Sequence, residues 1–206
     1  MISNPKLSII CKTVLLYSAV LGVLLQGGIL RGGFDTATLR TFSTLGSILT
    51  AVYYLVALPV GGKGSVWCPP LKFAVLMSTL LTGFAAHFLL RGAWNDASDV
   101  RRLALILLHD VVPVGMLLDW LLIDPRGTMR VTDPLLGVLP AALYAAAALI
   151  GVYLGRRVLY VYPFMDPARL GWPMVLLTVL GLAGAMIAAG YLLYGADRLL
   201  RGRGRK

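Results

Sequence analysis

An all-α integral membrane fold, a bundle of six transmembrane helices, is predicted by three features of the sequence. The 206 residues are 58% hydrophobic with a mean hydropathy of +0.81, whereas soluble globules are roughly 45–50% apolar. Six windows are apolar and long enough to cross about 30 Å of hydrocarbon, a distance that takes about 20 helical residues. The polar joints between them are short, so one transmembrane domain covers residues 1–206 and no soluble domain hangs from it.

The windows lie at about 9–30, 41–60, 71–91, 102–123, 134–155 and 172–195. The first is too long for a signal peptide and lacks a small-residue cleavage site, so it is expected to be retained. The second opens on TFSTLGSIL, which puts Thr44 about one turn inside the span and Ser47 a turn deeper. The third ends near Arg91, with His87 four residues before it. The fourth, LILLHDVVPVGMLLDWLLID, carries His109 and Asp110 side by side and Asp119 near its far end. The fifth and sixth hold GVYLG (Gly151, Gly155) and GLAGAMIAAG (Gly181, Gly184, Ala185, Ala188), small residues at helical spacing that predict close helix contacts within the bundle.

An even number of spans puts both termini on one side. The tail RLLRGRGRK holds five basic residues, and that side of the chain carries eleven Lys/Arg against eight on the other. The excess predicts a bacterial inner membrane protein with both termini cytoplasmic and the tail against anionic lipid headgroups. The net charge of +10 is spread over every loop, a pattern that argues against nucleic acid as a partner. Cys11 and Cys68 fall on the reducing side, so no disulfide is expected. Two cysteines and two widely separated histidines are a poor set for zinc, and no metal or cofactor is assigned.

Depth organises the polar residues. Consecutive spans alternate in direction and rise about 1.5 Å per residue. Thr44, Ser47, His87 and His109 therefore share one half of the membrane, whichever way the chain is oriented. Asp119 lies about 15 Å further along its helix than His109 and is too far to orient that imidazole. Alone, Thr44 and Ser47 read as back-bonded or helix-bridging hydroxyls, and His87 as a hydrogen-bonded packing residue. His109 sits deeper, and an intramembrane ionisable group is a functional candidate by default. Asp110 is expected to pair with Arg40 or Arg91. Asp119 with Trp120 reads as an interfacial anchor. Pro113 follows His109 by four residues and removes the hydrogen bond to its carbonyl, which predicts a kink and a polar notch beside the imidazole.

HDVVPVGMLLDWLL resembles the His-x-x-x-Pro…Asp-Trp stretch of a family of small polytopic membrane proteins, the bacterial relatives of the androgen-induced membrane proteins and the androgen-dependent TFPI-regulating protein. YVYPFMDPARLG is similar to the loop before the last span in the bacterial members, and TFSTLGSIL sits where the family has an aromatic-Thr-x-x-Ser-Asn pattern. Together these motifs run from about residue 41 to residue 171. The resemblance implies an intramembrane lipid ester hydrolase acting on membrane lipid, with fatty-acid esters of hydroxy fatty acids as the substrate class. It implies Thr44 as nucleophile and His109 as base. Ser43 stands where the family has an aromatic residue and Ile48 where it has Asn; Ser43 and Ser47 are alternative nucleophiles. Ser47, His87, Asp110, Pro113, Asp119, Tyr162 and Asp166 are the expected substrate-contacting and supporting residues. In a low dielectric an imidazole favours its neutral form, which a general base requires.

Rival readings are a proton-coupled carrier relaying through His109, Asp110 and Asp119, a non-enzymatic membrane protein, and a b-type haem protein with His87 and His109 as axial ligands. The loop Tyr162–Asp166 is either a lid or a rigid turn, and Asp166 is expected to contact Arg156 or Arg169. The oligomeric state is not legible.

Overall fold

The computed structural model describes residues 5–60, 66–90, 97–156 and 158–201. Six helices are long and apolar enough to cross a membrane: α1 (Pro5–Arg31), α2 (Phe42–Val60), α3 (Pro69–Leu89), α4 (Asp99–Ile123), α5 (Asp133–Tyr153) and α6 (Trp172–Arg201). The described residues contain helices, turns and irregular segments and no strand. This is an all-α membrane bundle, as the hydropathy predicts.

Local chemistry sets the ends. Thr41 is extended and its hydroxyl accepts the Thr44 N–H, so it caps α2. Pro69 and Pro70 open α3, where a missing N–H costs nothing. The Asp133 carboxylate accepts the Arg130 N–H at the start of α5. That helix breaks at Gly137–Val138, just ahead of Pro140. It closes on Gly155, whose φ of 69° lies in the left-handed region. α6 runs past the predicted end at 195 because its last turns are docked. Asp197 is buried and accepts the Gly127 and Met129 N–H groups at 2.9 and 3.3 Å.

α3 is the hub and packs against α2, α4, α5 and α6, while α1 lies along α2 and α4. The main core joins Leu15 and Ala19 of α1, Tyr53 and Tyr54 of α2, Phe73, Leu76 and Met77 of α3, and Val112, Met116 and Trp120 of α4. A second cluster of Phe42, Tyr144, Ala148, Met165 and Val175 ties α5 and α6 to the start of α2. Val138 of α5 and Met186 of α6 also join the main core.

The small residues of the last two helices differ from expectation. Gly181, Gly184, Ala185 and Ala188 all face outward, and nothing packs within 4 Å of the two glycines. α6 turns Met186 and Gly190 inward instead, and Gly190 lies against Pro134. Gly151 and Gly155 make the end of α5 and the turn after it, where a side chain on Gly151 would strike the Arg156 carbonyl.

Candidate active site

Three π turns interrupt the inner helices: Ala85–Leu89 at the end of α3, and Leu107–Val111 and Asp119–Ile123 in α4. Such bulges collect at functional sites. These three hold His87, the His109–Asp110 pair and Asp119. The middle turn has a local cause. Pro113 has no N–H to give the His109 carbonyl, and the Val112 N–H reaches back five residues to Leu107. α3 meets this kink at Gly83, where an ideal Cβ would lie 3.0 Å from the His109 carbonyl oxygen and 3.3 Å from Pro113 Cβ. Only glycine lets the two backbones come this close.

His109 is buried, and its Nδ1–H donates to the Leu105 carbonyl at 3.0 Å. A carbonyl can only accept, so the neutral ring carries its lone pair on Nε2. The ring lines a cavity of about 290 Å³, at the small end of the range of ligand pockets, roughly 300–1,000 Å³. The other walls come from Phe42 and Ser43 of α2, Leu81, Thr82 and Ala85 of α3, the alanine-rich face of α5, Val179, Leu180, Leu182, Ala183 and Met186 of α6, and Tyr162, Phe164 and Met165 of the loop before α6. The lining is aliphatic and aromatic except for His109, Ser43, Thr82 and the two tyrosine hydroxyls of Tyr144 and Tyr162.

That loop is tied down at several points. The Tyr160 N–H donates to the Arg40 carbonyl at 2.9 Å, and the Tyr144 hydroxyl lies within bonding distance of the Arg40 and Tyr160 carbonyls. Tyr162 stacks on Phe164 with centroids 5.3 Å apart. Its phenol oxygen accepts the Phe42 N–H at 3.1 Å and meets Ser43 as well. The first N–H groups of α2, which would suit an oxyanion, therefore converge on the Tyr162 oxygen. Burial raises this phenol above its ordinary value, and the hydrogen bonds from Phe42 and Ser43 offset only part of that. It is a hydrogen-bond donor and not a base. The Asp166 carboxylate caps the short helix Pro167–Leu170 through the Ala168 N–H.

Of the residues singled out from sequence, His109 and Tyr162 line the cavity. Thr44 is fully enclosed, with its hydroxyl accepting from Thr41 at 2.9 Å, and Ser47 is buried beside it in α2. Ser43, one residue before Thr44, faces the cavity. Thr41 also lines a second, more polar cavity of about 650 Å³ with Gln26, Arg31, Asp35, Thr38 and Arg101. His87 Nε2 and Asp110 Oδ1 lie 2.6 Å apart, both partly exposed. Asp110 thus takes a histidine, and of the two arginines expected for it Arg91 lies outside the described residues. His87 and His109 sit on separate π turns with different partners, one an aspartate and one a backbone carbonyl.

Asp119 departs furthest from expectation. It is no interfacial anchor and does not line the cavity. It points into the bundle, where its Oδ2 accepts from Lys72 Nζ and, at 2.7 Å, from the Tyr54 hydroxyl. Lys72 Nζ also donates to Asp124 Oδ1 at 2.6 Å. Trp120 is buried too, with the Arg126 guanidinium 4.5 Å from its ring centre. Lys72 was missed from sequence. Depth was the signal for it, because Lys72 is three residues into α3 and Asp119 four residues from the end of α4, on the same side of the bundle. No protein-family model matches this chain, and neither the curated proteins nor the solved structures contain a match.

Proposed function

We propose that this protein is an intramembrane lipid ester hydrolase that attacks with a hydroxyl of α2 and uses His109 as general base. The observation that carries the reading is the apolar cavity whose polar lining includes the His109 imidazole, the Ser43 hydroxyl and the Tyr162 phenol. The motif resemblance to the hydrolase family supports the same chemistry from the sequence side. The substrate is a membrane lipid with a long acyl chain, an ester of a hydroxy fatty acid by that resemblance, and its chain lies in the cavity. Ser43 is the nucleophile of choice because it meets the cavity, while Thr44 stands behind it.

In the acylation step the Ser43 O–H proton moves to His109 Nε2 as Oγ bonds to the ester carbonyl carbon. The Tyr162 O–H, held in place by the α2 amide groups that bind its oxygen, stabilises the oxyanion. The carbon–alkoxy bond then breaks, and the departing oxygen takes the proton from His109. Water repeats the cycle on the acyl-serine, with His109 as base, and releases the fatty acid. The polar cavity beyond Thr41 supplies that water. We read the protein as an inner-membrane protein of bacteria with cytoplasmic termini and a tail against anionic headgroups; Arg203, Arg205 and Lys206 of that tail lie outside the described residues. A carrier reading would draw on Lys72 and Asp119 instead of on this cavity.

The test is turnover of a long-chain nitrophenyl ester and of a fatty-acid ester of a hydroxy fatty acid by protein in mild detergent. Ser43→Ala and His109→Ala each abolish turnover, while Thr44→Ala retains a measurable rate. Loss with Thr44→Ala and retention with Ser43→Ala would move the nucleophile to Thr44. No turnover by folded wild type would end the hydrolase reading.

A further inference from the structure

At the end of the bundle away from Ser43, three ionisable side chains are shut off from solvent: Lys72 at 2%, Asp119 at 2% and Asp124 at 3% relative exposure. Lys72 Nζ bridges the carboxylates, and the Tyr54 hydroxyl adds a third contact, again to Asp119 Oδ2. Asp119 Oδ1 is buried and has no hydrogen-bond partner. Two carboxylates against one ammonium leave one surplus negative charge. An uncompensated charge is costly in a low dielectric, and the usual relief is a change of protonation.

The nearest further cation, the Arg126 guanidinium, lies over the Trp120 ring, donates to the Trp120 and Leu121 carbonyls and acts on Asp124 without an ion pair to it. From α2 come only the neutral phenols of Tyr53 and Tyr54, and Lys72 is the one cation that α3 contributes. The thiol of Cys68 sits before α3. Lys12 of α1 acts on Asp124 only at a distance and is the weakest of its influences. A divalent cation would need six or more oxygen ligands, and both carboxylates already hold Lys72.

We propose that the Lys72–Asp119–Asp124 cluster is a proton-binding site, in which one added proton makes the cluster neutral. Asp124, just beyond the end of α4, is where the proton enters from the aqueous side. Burial pushes its carboxyl up to about 6, against the opposing pull of Lys72. Because α2, α3 and α4 each lend a side chain, loss of the proton loosens the contact among the three. The site is independent of the ester chemistry and stands whether or not Ser43 is a nucleophile.

Infrared difference spectroscopy on the full chain in lipid nanodiscs, stepped from about pH 8 to about pH 4, reads the site directly. A protonated-carboxyl band that shifts in heavy water grows in with a midpoint near 6. Asp124→Asn and Asp119→Asn each remove it, and both fold because each removes the surplus charge. Asp166→Asn, in the loop before α6, leaves the band intact. Lys72→Gln moves the midpoint up by at least about one unit, since the ammonium no longer favours ionised carboxylates. No titrating band in the wild type, or a band that survives both asparagine variants, overturns the proposal. So does stabilisation by sodium at high pH with no proton uptake, which would make the ligand a metal cation.

Discussion

Replacing Lys72 by methionine keeps the length of the side chain and deletes the ammonium that joins α3 to α4. Two buried carboxylates then lose their shared donor, Asp124 at 2.6 Å and Asp119 beside it. Removing one partner of a buried ion pair costs about 3–5 kcal/mol, most of it the exposure of the orphaned charge to low dielectric. At roughly 2–4 °C per kcal/mol for a chain of this size, the melting temperature near neutral pH falls by roughly 6–20 °C. Intrinsic fluorescence during thermal unfolding in a fixed detergent is the assay, and Trp120, buried next to Asp119, is a local reporter. Lys72→Met combined with Asp119→Asn and Asp124→Asn removes every charge and recovers most of the loss. The deficit of the single variant also shrinks at about pH 5, below the value near 6 at which Asp124 takes up its proton. A change under about 1 kcal/mol at neutral pH would refute the reasoning, because it would mean that water already reaches the cluster.

Three other outcomes follow from the geometry. Asp124 sits near 6 in the folded chain and near the ordinary 3.9 when unfolded, so the native state binds the proton more tightly. Its contribution is therefore complete below about pH 4 and is lost as pH rises through about 6, a fall of about 3 kcal/mol that Asp124→Asn flattens in a pH series of unfolding measurements. Gly83→Ala sets a methyl 3.0 Å from the His109 carbonyl, a backbone atom that cannot swing aside; about 1–3 kcal/mol of stability is lost and ester turnover falls, while Gly184→Ala, which faces open space, changes neither. Tyr162→Phe leaves the Phe42 N–H without its acceptor and removes the donor above Ser43; kcat drops about 10²–10³-fold with KM little changed in steady-state kinetics.

The six helices were legible because each needs only local information, an apolar run of sufficient length. Their ends were less so. α6 overran its predicted end since Asp197 docks onto a loop some 70 residues away, which no window of hydropathy can register. The depth comparison grouped Thr44, Ser47, His87 and His109; of these His109 lines the cavity, and Ser43, next to Thr44, lines it too. It could not tell Ser43 from Thr44, since adjacent helical residues differ in direction by about 100° and the choice depends on where α5 and α6 stand. Pro113 announced a distortion beside His109, and the π turn there has that origin. Lys72 was hidden by a habit of reading: a lysine near a helix end is taken to snorkel to the surface. Its partners, 47 and 52 residues away, are apparent only when the inner ends of α3 and α4 are compared at equal depth. The outward-facing glycines of α6 show the converse, since small residues at helical spacing do not by themselves say which face is packed.

In the proposed reaction a hydroxyl of α2, activated by His109, attacks the ester carbonyl of a lipid whose acyl chain lies in the apolar cavity. A long-chain fluorophosphonate, which bonds covalently only to an activated hydroxyl, tests it most directly when the labelled residue is mapped by mass spectrometry. One adduct is expected, on Ser43, absent in His109→Ala and blocked by prior incubation with a long-chain fatty acid. Folded wild-type protein that takes up no label on α2, or label that is indifferent to His109, would contradict it.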